Sequence, residues 1–328
     1  MPTHHLQHRL PAEWEPQSAI LLCWPHENSD WKDNLAPAEA VYLKIAKHIC
    51  LHEELIIVCY NQLHQIHIKK ILEQNDVALQ SVHFGIAPSN DTWIRDYGPI
   101  SVTSSTTTGD GARLLNFEFD AWGGKYPSDK DNLVTNTLYE SGIFEDTSIT
   151  NIDDLVLEGG GIESDGMGTL LTTDSCLFGG SRNKNLGRMH IETQLTELFG
   201  LQRILSLKHG YVAGDDTDGH IDTLARFCNE HTIAYTACND EQDEHYQALK
   251  AMENELKEFT TLDGQPYKLL ALPIPEPIYN KQGDRLPATY ANFLIINDAV
   301  LVPVYGDTKT DQMALEVLSG CFPDREII

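Results

Sequence analysis

A grammar that recurs along the chain limits its fold more than any other feature: hairpin, helix, single strand, loop, with a period of roughly 60–70 residues. Expected hairpins span 100–119, 161–172, 223–236 and 290–303, turning at Thr108-Gly109-Asp110-Gly111, Ser164-Asp165-Gly166, Asn229-Glu230 and Asn297-Asp298. Gly, Asn and Asp at those tips suit tight turns between alternating or apolar runs. Apolar spacing predicts helices over 36–50, 62–74, 132–141, 188–199, 241–259 and 310–319. Lone strands are expected over 18–24, 55–60, 82–86, 154–157, 203–207 and 267–272, with another opening at Glu326-Ile327-Ile328. The repeats share a pattern rather than residues, and no linker or low-complexity stretch divides them. One ring-like domain of α/β modules over residues 1–328 is the expectation.

Composition narrows the class of partner. With 23 Lys+Arg against 49 Asp+Glu, the formal net charge is −26, which argues against nucleic acid and anionic membranes and favours cationic small molecules. The seven cysteines are odd in number, include no CxxC pair, and fall in apolar runs such as Leu21-Leu22-Cys23-Trp24. That pattern suits reduced thiols in a cytoplasmic protein. Residues 1–17 are polar, without the apolar core of a signal peptide, and no apolar run is long enough to span a bilayer.

The stretch Gly214-Asp215-Asp216-Thr217-Asp218-Gly219-His220-Ile221-Asp222-Thr223 concentrates acids, glycines and one histidine. If a strand starts at His220, then His220 and Asp222 share one face, placing an acid/base beside an anion. The alternative is a solvated acidic turn. Other chemistry-bearing residues occupy the corresponding loops of earlier modules: Trp93 and Asp96 in one, Glu158 before Gly159-Gly160-Gly161 in another. In a closed ring such loops would converge. A pocket of acids, one imidazole and an indole best fits a planar cation such as a guanidinium, which carboxylates grip bidentately and which keeps its charge at neutral pH. Asp96 and Asp222 are the candidate clamps, and Trp93 and Trp122 the candidate aromatic walls, with core packing the alternative for each indole. Asp215 and Asp216 would either meet the far end of the substrate or serve only the turn.

The motifs WIRDYGP, FDAWGGKYP, LEGGG and DDTDGHIDT, in that order, resemble the agmatine deiminase family, relatives of the bacterial peptidylarginine deiminases, and the resemblance covers essentially the whole chain. It implies a five-bladed pseudo-symmetric α/β propeller, the pentein fold, and a thiol mechanism with no metal and no cofactor. Matched here, Asp96 and Asp222 would hold the guanidinium, His220 would be the acid/base, and Glu158 would brace histidine and substrate. The implied reaction converts agmatine to N-carbamoylputrescine and ammonia, a step of putrescine biosynthesis; family members are often homo-oligomers. The family nucleophile lies in a Gly-rich His-Cys motif near the C-terminus, which these residues do not contain. The expectation is therefore a chain lacking its C-terminal end and inactive as it stands, with Cys176, Cys238 and Cys321 near element ends away from the axis.

Three other readings stand beside this one: arginine or peptidyl-arginine as substrate, a guanidine-binding protein without catalysis, and a metallohydrolase using the His220–Asp222 pair. No Walker A, GxSxG, GxGxxG or HExxH pattern is present.

Overall fold

The structure, a computed structural model, describes residues 8–104 and 111–328. Among the described residues five small sheets carry the strands, and the backbone divides into two compact units, Glu15–Val102 with Asp110–Gly159, and Met1–Trp14 with Thr103–Gly109 and Gly160–Ile328.

In the first of these units, Ala19–Cys23, Glu54–Cys59 and Val82–Ile86 form a parallel sheet with Glu54–Cys59 in the middle. A central parallel strand is covered on both faces and must be apolar throughout. Leu55, Ile57, Val58 and Cys59 are all fully buried. Helices Leu35–Ile49 and Gln62–Gln74 make the crossovers that parallel pairing demands. The second sheet pairs Ala112–Glu118 in parallel with Ser148–Val156, across helix Asp131–Glu140. Strand Ser148–Val156 starts six residues before the expected Asp154. Of its residues only Leu155 is buried, so it lacks the apolar run that marks a strand in sequence. The turn expected at Thr108-Gly109-Asp110-Gly111 lies largely outside the described residues.

In the other unit one plan appears three times: an antiparallel hairpin, a helix, then a strand parallel to the hairpin's second arm. Ile162–Ser164 and Thr169–Thr173 are followed by helix Arg188–Phe199 and strand Arg203–Leu207. Ala225–Asn229 and Thr232–Ala237 are followed by Tyr246–Glu258 and Lys268–Pro273. Leu294–Ile296 and Ala299–Leu301 are followed by Thr308–Cys321 and Glu326–Ile327.

Two elements start four or more residues later than expected, each for a visible reason. The helix expected from Glu241 begins at Tyr246, because Asp240 and Asp243 cap the backbone N–H groups of Gln242 and His245 in turns. The strand expected from Tyr290 begins at Leu294, because the carbonyls of Ala291 and Phe293 accept from the Arg226 guanidinium rather than from a neighbouring strand. Arg226 is buried and also donates from Nε to Glu163 (2.9 Å) and from Nη2 to Glu13. The second Glu163 oxygen accepts the Phe227 N–H at 3.1 Å. A buried charge persists only when paired and hydrogen-bonded, and Arg226 is held by two carboxylates and two carbonyls.

Candidate active site

In the first unit, strand Val82–Ile86 delivers the chain to the loop bearing Trp93 and Asp96. A reciprocal clasp fixes that loop: Asp131 Oδ1 accepts from the N–H groups of Asn90 (2.7 Å) and Asp91 (3.2 Å), while the Asn90 side-chain oxygen accepts from the Lys130 N–H at 2.8 Å. Burial holds the Asp131 carboxyl up at about 7, despite the two N–H groups that favour its anion. Residues 94–97 are not open loop, as their sequence suggests, but a single helical turn, Ile94–Tyr97, with Trp93 at its start. The turn buries Asp96 (8 % exposed) and leaves Trp93 49 % exposed, its ring 6.0 Å from that of Trp31.

Trp122 is buried, and its indole N–H donates to Asp96 Oδ2 at 3.0 Å. The backbone that presents it is left-handed over Ala121 (φ 53°) and Trp122 (φ 58°), continuing through Gly123 and Gly124. Side chains with a Cβ avoid that region at a cost of about 1–2 kcal/mol each. Asp120 closes the turn by accepting the Gly123 N–H at 2.7 Å, and the indole packs edge-on against Phe119 and Tyr126. Trp122 thus aims a carboxylate, where sequence offered it as a wall for a cation. Glu158, 2 % exposed, follows strand Ser148–Val156. Its neighbour must be glycine: a Cβ on Gly159 would stand 2.2 Å from the Arg95 carbonyl oxygen, inside any allowed contact.

One cluster in this unit imitates a hydrolase relay. His26 Nε2 lies 3.0 Å from Ser89 Oγ, which lies 3.3 Å from Cys23 Sγ. The imidazole carries the wrong tautomer for a base, because Nδ1 accepts the Asn28 N–H and the proton must sit on Nε2. Burial lowers His26 to about 4, helped by His64 and Lys130, and raises Cys23 to about 11. At neutral pH both groups are inert.

The other unit holds the His220 stretch, and here the strand expectation fails. Ile221–Thr223 is a 3₁₀ turn, and strand Ala225–Asn229 begins only beyond it. The Thr223 hydroxyl and N–H both donate to the His220 carbonyl (2.9 and 3.3 Å), folding the backbone back where a strand would extend it. His220 (2 % exposed) and Asp222 (8 %) are nevertheless both buried. The preceding acids build the loop itself. Asp215 Oδ1 accepts from the Thr217 hydroxyl (2.6 Å) and N–H (3.2 Å), and Oδ2 accepts from the Gly219 N–H (3.0 Å). Thr217 Oγ1 in turn accepts the His220 N–H at 3.0 Å. Asp218, at φ 66°, pairs with the buried Arg182 at 3.0 Å. Of the two roles open to Asp215, the geometry selects the turn.

The residue that sequence reasoning misplaced is Cys176. It lies in the short helix Asp174–Phe178, whose cap is the Thr173 hydroxyl accepting the Cys176 N–H at 3.2 Å. That turn brings the thiol and the His220 imidazole within 4.8 Å of each other, ligand atom to ligand atom. A Cβ on Gly161 would stand 2.9 Å from Cys176 Sγ and 4.0 Å from His220 Nε2, so this glycine admits both side chains. No spacing in the sequence announces the pair; it arises where the end of strand Thr169–Thr173 meets the loop of the next module, the Thr173 hydroxyl also donating to the Gly219 carbonyl at 2.7 Å. Cys321, by contrast, is the buried last residue of helix Thr308–Cys321, in the same core cluster as Cys228.

These observations define a class. Residues 9–328 match the Porphyromonas-type peptidyl-arginine deiminase family, and the chain belongs to it, with that family's pentein fold of five α/β blades. An agmatine deiminase of Pseudomonas aeruginosa is 30 % identical over 98 % of this chain and 89 % of its own. A cysteine-to-serine variant of the Campylobacter jejuni agmatine deiminase with substrate bound superposes with a TM-score of 0.87 at 39 % identity, covering 98 % of this chain and 90 % of its own. A Porphyromonas gingivalis protein named as a candidate arginine deiminase gives 0.88 at 47 % identity, over 98 % and 92 %. Among the described residues no helix is long and apolar enough to cross a membrane.

Proposed function

We propose that this protein hydrolyses the guanidinium of agmatine to N-carbamoylputrescine and ammonia, acting as one deiminase domain in the cytoplasm, on a small cation rather than on nucleic acid or membrane. The observation that carries the proposal is the burial of Asp96, Glu158, His220 and Asp222 in a chain of this family. A guanidinium is the planar cation that such carboxylates grip bidentately, and it keeps its charge at neutral pH.

Asp96 and Asp222 grip the guanidinium and keep positive charge on its carbon. Trp122 orients Asp96, and Trp93 offers its exposed ring to the cation. A thiolate adds to the carbon, and His220 protonates the departing ammonia. Water then attacks the S-alkylthiouronium, His220 accepts its proton, and the thiolate leaves. Glu158 braces His220 and the substrate. The sequence holds no Gly-rich His-Cys motif to supply the family thiol.

A second reading rests on one observation, the approach of Cys176 to His220, and makes Cys176 the nucleophile of this chain. Ammonia release from agmatine, arginine and a peptidyl-arginine, with and without EDTA, tests the first reading. Turnover of agmatine that EDTA leaves unchanged supports it; loss with EDTA and recovery with zinc would favour the metallohydrolase. Cys176→Ser then divides the two thiol assignments.

A further inference from the structure

A second, deeper set of groups stands behind the His220 loop. His245 is buried, 1 % exposed, at the start of helix Tyr246–Glu258. Its Nε2 lies 2.7 Å from the Ala213 backbone nitrogen. Because that N–H can only donate, Nε2 must be the lone-pair nitrogen and the ring proton must sit on Nδ1. Nδ1 lies 2.6 Å from Asp243 Oδ1, the acceptor this tautomer needs. Arg285 fixes the carboxylate in turn, with Nη2 3.0 Å from Asp243 Oδ2 and Nη1 3.0 Å from Glu244 Oε1. Every polar atom of the imidazole is thus committed, one to the brace behind it and one to the loop in front.

Ala213 is the hinge between that brace and the site. Gly214 follows it at φ +84°, where a Cβ would stand 2.3 Å from the Arg285 carbonyl oxygen. Asp215, next in line, donates its N–H to the Val212 carbonyl at 3.1 Å and organises the turn that ends on the His220 N–H. Arg285 is thus linked to His220 through these hydrogen bonds and the backbone of residues 213–215. Nothing in the reaction requires a histidine at 245, and a simple apolar side chain would fill the same core. The bonding pattern has a use if the Ala213 N–H must be held at one point.

We infer that His245, kept in its Nδ1–H tautomer by the Asp243–Arg285 pair, is a positioning residue that fixes the loop carrying His220. The inference rests on the deiminase reading for its effect on turnover, but its structural half stands apart from that reading. A positioned acid/base loses rate steeply when it drifts, since misplacement on the order of 1 Å costs about 100-fold.

The test uses the full chain and three variants. His245→Leu removes the acceptor and keeps the bulk. His245→Gln puts an amide oxygen near the place of Nε2 and so restores the acceptor. Asp243→Asn keeps an acceptor for Nδ1–H but removes the anion that holds Arg285. Amide hydrogen exchange over residues 212–220 and the kcat and KM for agmatine are measured on each. His245→Leu is expected to raise exchange in that segment at least tenfold and to lower kcat at least tenfold, with a smaller rise in KM. His245→Gln should return both most of the way, and Asp243→Asn should fall between. Unchanged exchange over 212–220 in His245→Leu, or a Gln variant as defective as Leu, overturns the inference. If His245→Leu does not fold, Asp243→Asn decides by the same segment: increased exchange there upholds the brace and wild-type exchange rejects it. If no form, wild type included, releases ammonia from agmatine, the reading that makes Cys176 the nucleophile fails while the exchange pattern still judges the brace.

Discussion

The indole nitrogen of Trp122 lies 3.0 Å from Asp96 Oδ2, joining a left-handed turn to a buried carboxylate 26 residues earlier. Under the deiminase reading, Trp122 acts on the guanidinium by aiming the carboxylate that would hold it. Hydrogen bonds to a charged partner contribute about 1.5–3 kcal/mol. Trp122→Phe is therefore expected to weaken agmatine binding on the order of 10- to 100-fold, measured by calorimetric titration, while Trp93→Phe keeps a ring for the cation and costs less. Equal affinity in Trp122→Phe and wild type would show that Asp96 needs no such aiming.

At Gly161 the expected failure is steric. A methyl 2.9 Å from Cys176 Sγ must displace the thiol or the backbone, a kind of overpacking that costs about 1–3 kcal/mol. Gly161→Ala should lower the thermal midpoint, and adding Cys176→Ala, which vacates the sulfur's place, should restore part of the loss. Purely additive losses in the double variant would place the strain elsewhere.

Asp215 makes a sharper case than its neighbours because it spends both oxygens on backbone and hydroxyl donors within the loop. In Asp215→Asn the amide nitrogen must face an N–H, either that of Gly219 or that of Thr217. The variant should lose on the order of 1–3 kcal/mol of stability and, under the deiminase reading, nearly all turnover. Full activity in Asp215→Asn would separate loop geometry from chemistry.

The legibility of these features in sequence follows from what made each element. Helices Gln62–Gln74 and Arg188–Phe199 and strand Arg203–Leu207 lie where their apolar spacing predicts, because burial of one face decided them. Strand Ser148–Val156 was obscured by its exposure, and the start of Tyr246–Glu258 by aspartate caps that divert the backbone into turns. The candidate acids and His220 were readable as residue types that packing does not explain, and all four are buried. The 3₁₀ turn at Ile221–Thr223, the Trp122–Asp96 bond and the approach of Cys176 to His220 depend on tertiary position. No local pattern encodes them.

The acid response of the first unit should be set by two groups that oppose each other. His26 titrates at about 4 when folded and near 6.5 when unfolded, so its contribution is present above pH 6.5 and lost as pH falls towards 4. Asp131 titrates at about 7 when folded and near 3.9 when unfolded; its contribution is present below pH 4 and lost as pH rises towards 7. Between pH 4.5 and 6.5 the two slopes cancel. Asp131→Asn retains an oxygen for the Asn90 and Asp91 N–H groups and removes the second slope. Its stability in urea should then rise with pH across this window, by on the order of 2 kcal/mol after allowing for solvent screening of His26. A variant as flat as wild type would mean that these groups do not govern the response.

Arg226 bears on how the larger unit comes into being. Its guanidinium gathers partners from near the start of the chain (Glu13), from the middle (Glu163), and from beyond residue 290 (Ala291 and Phe293). The contact with Glu13 closes a span of 213 residues, and closure entropy grows with the length of chain enclosed. Until all these segments arrive, a charge is stranded away from water beside incomplete partners, at a penalty of several kcal/mol. Partly assembled forms of the unit are therefore expected to be poorly populated, because one side chain ties segments near both ends of the sequence to its middle.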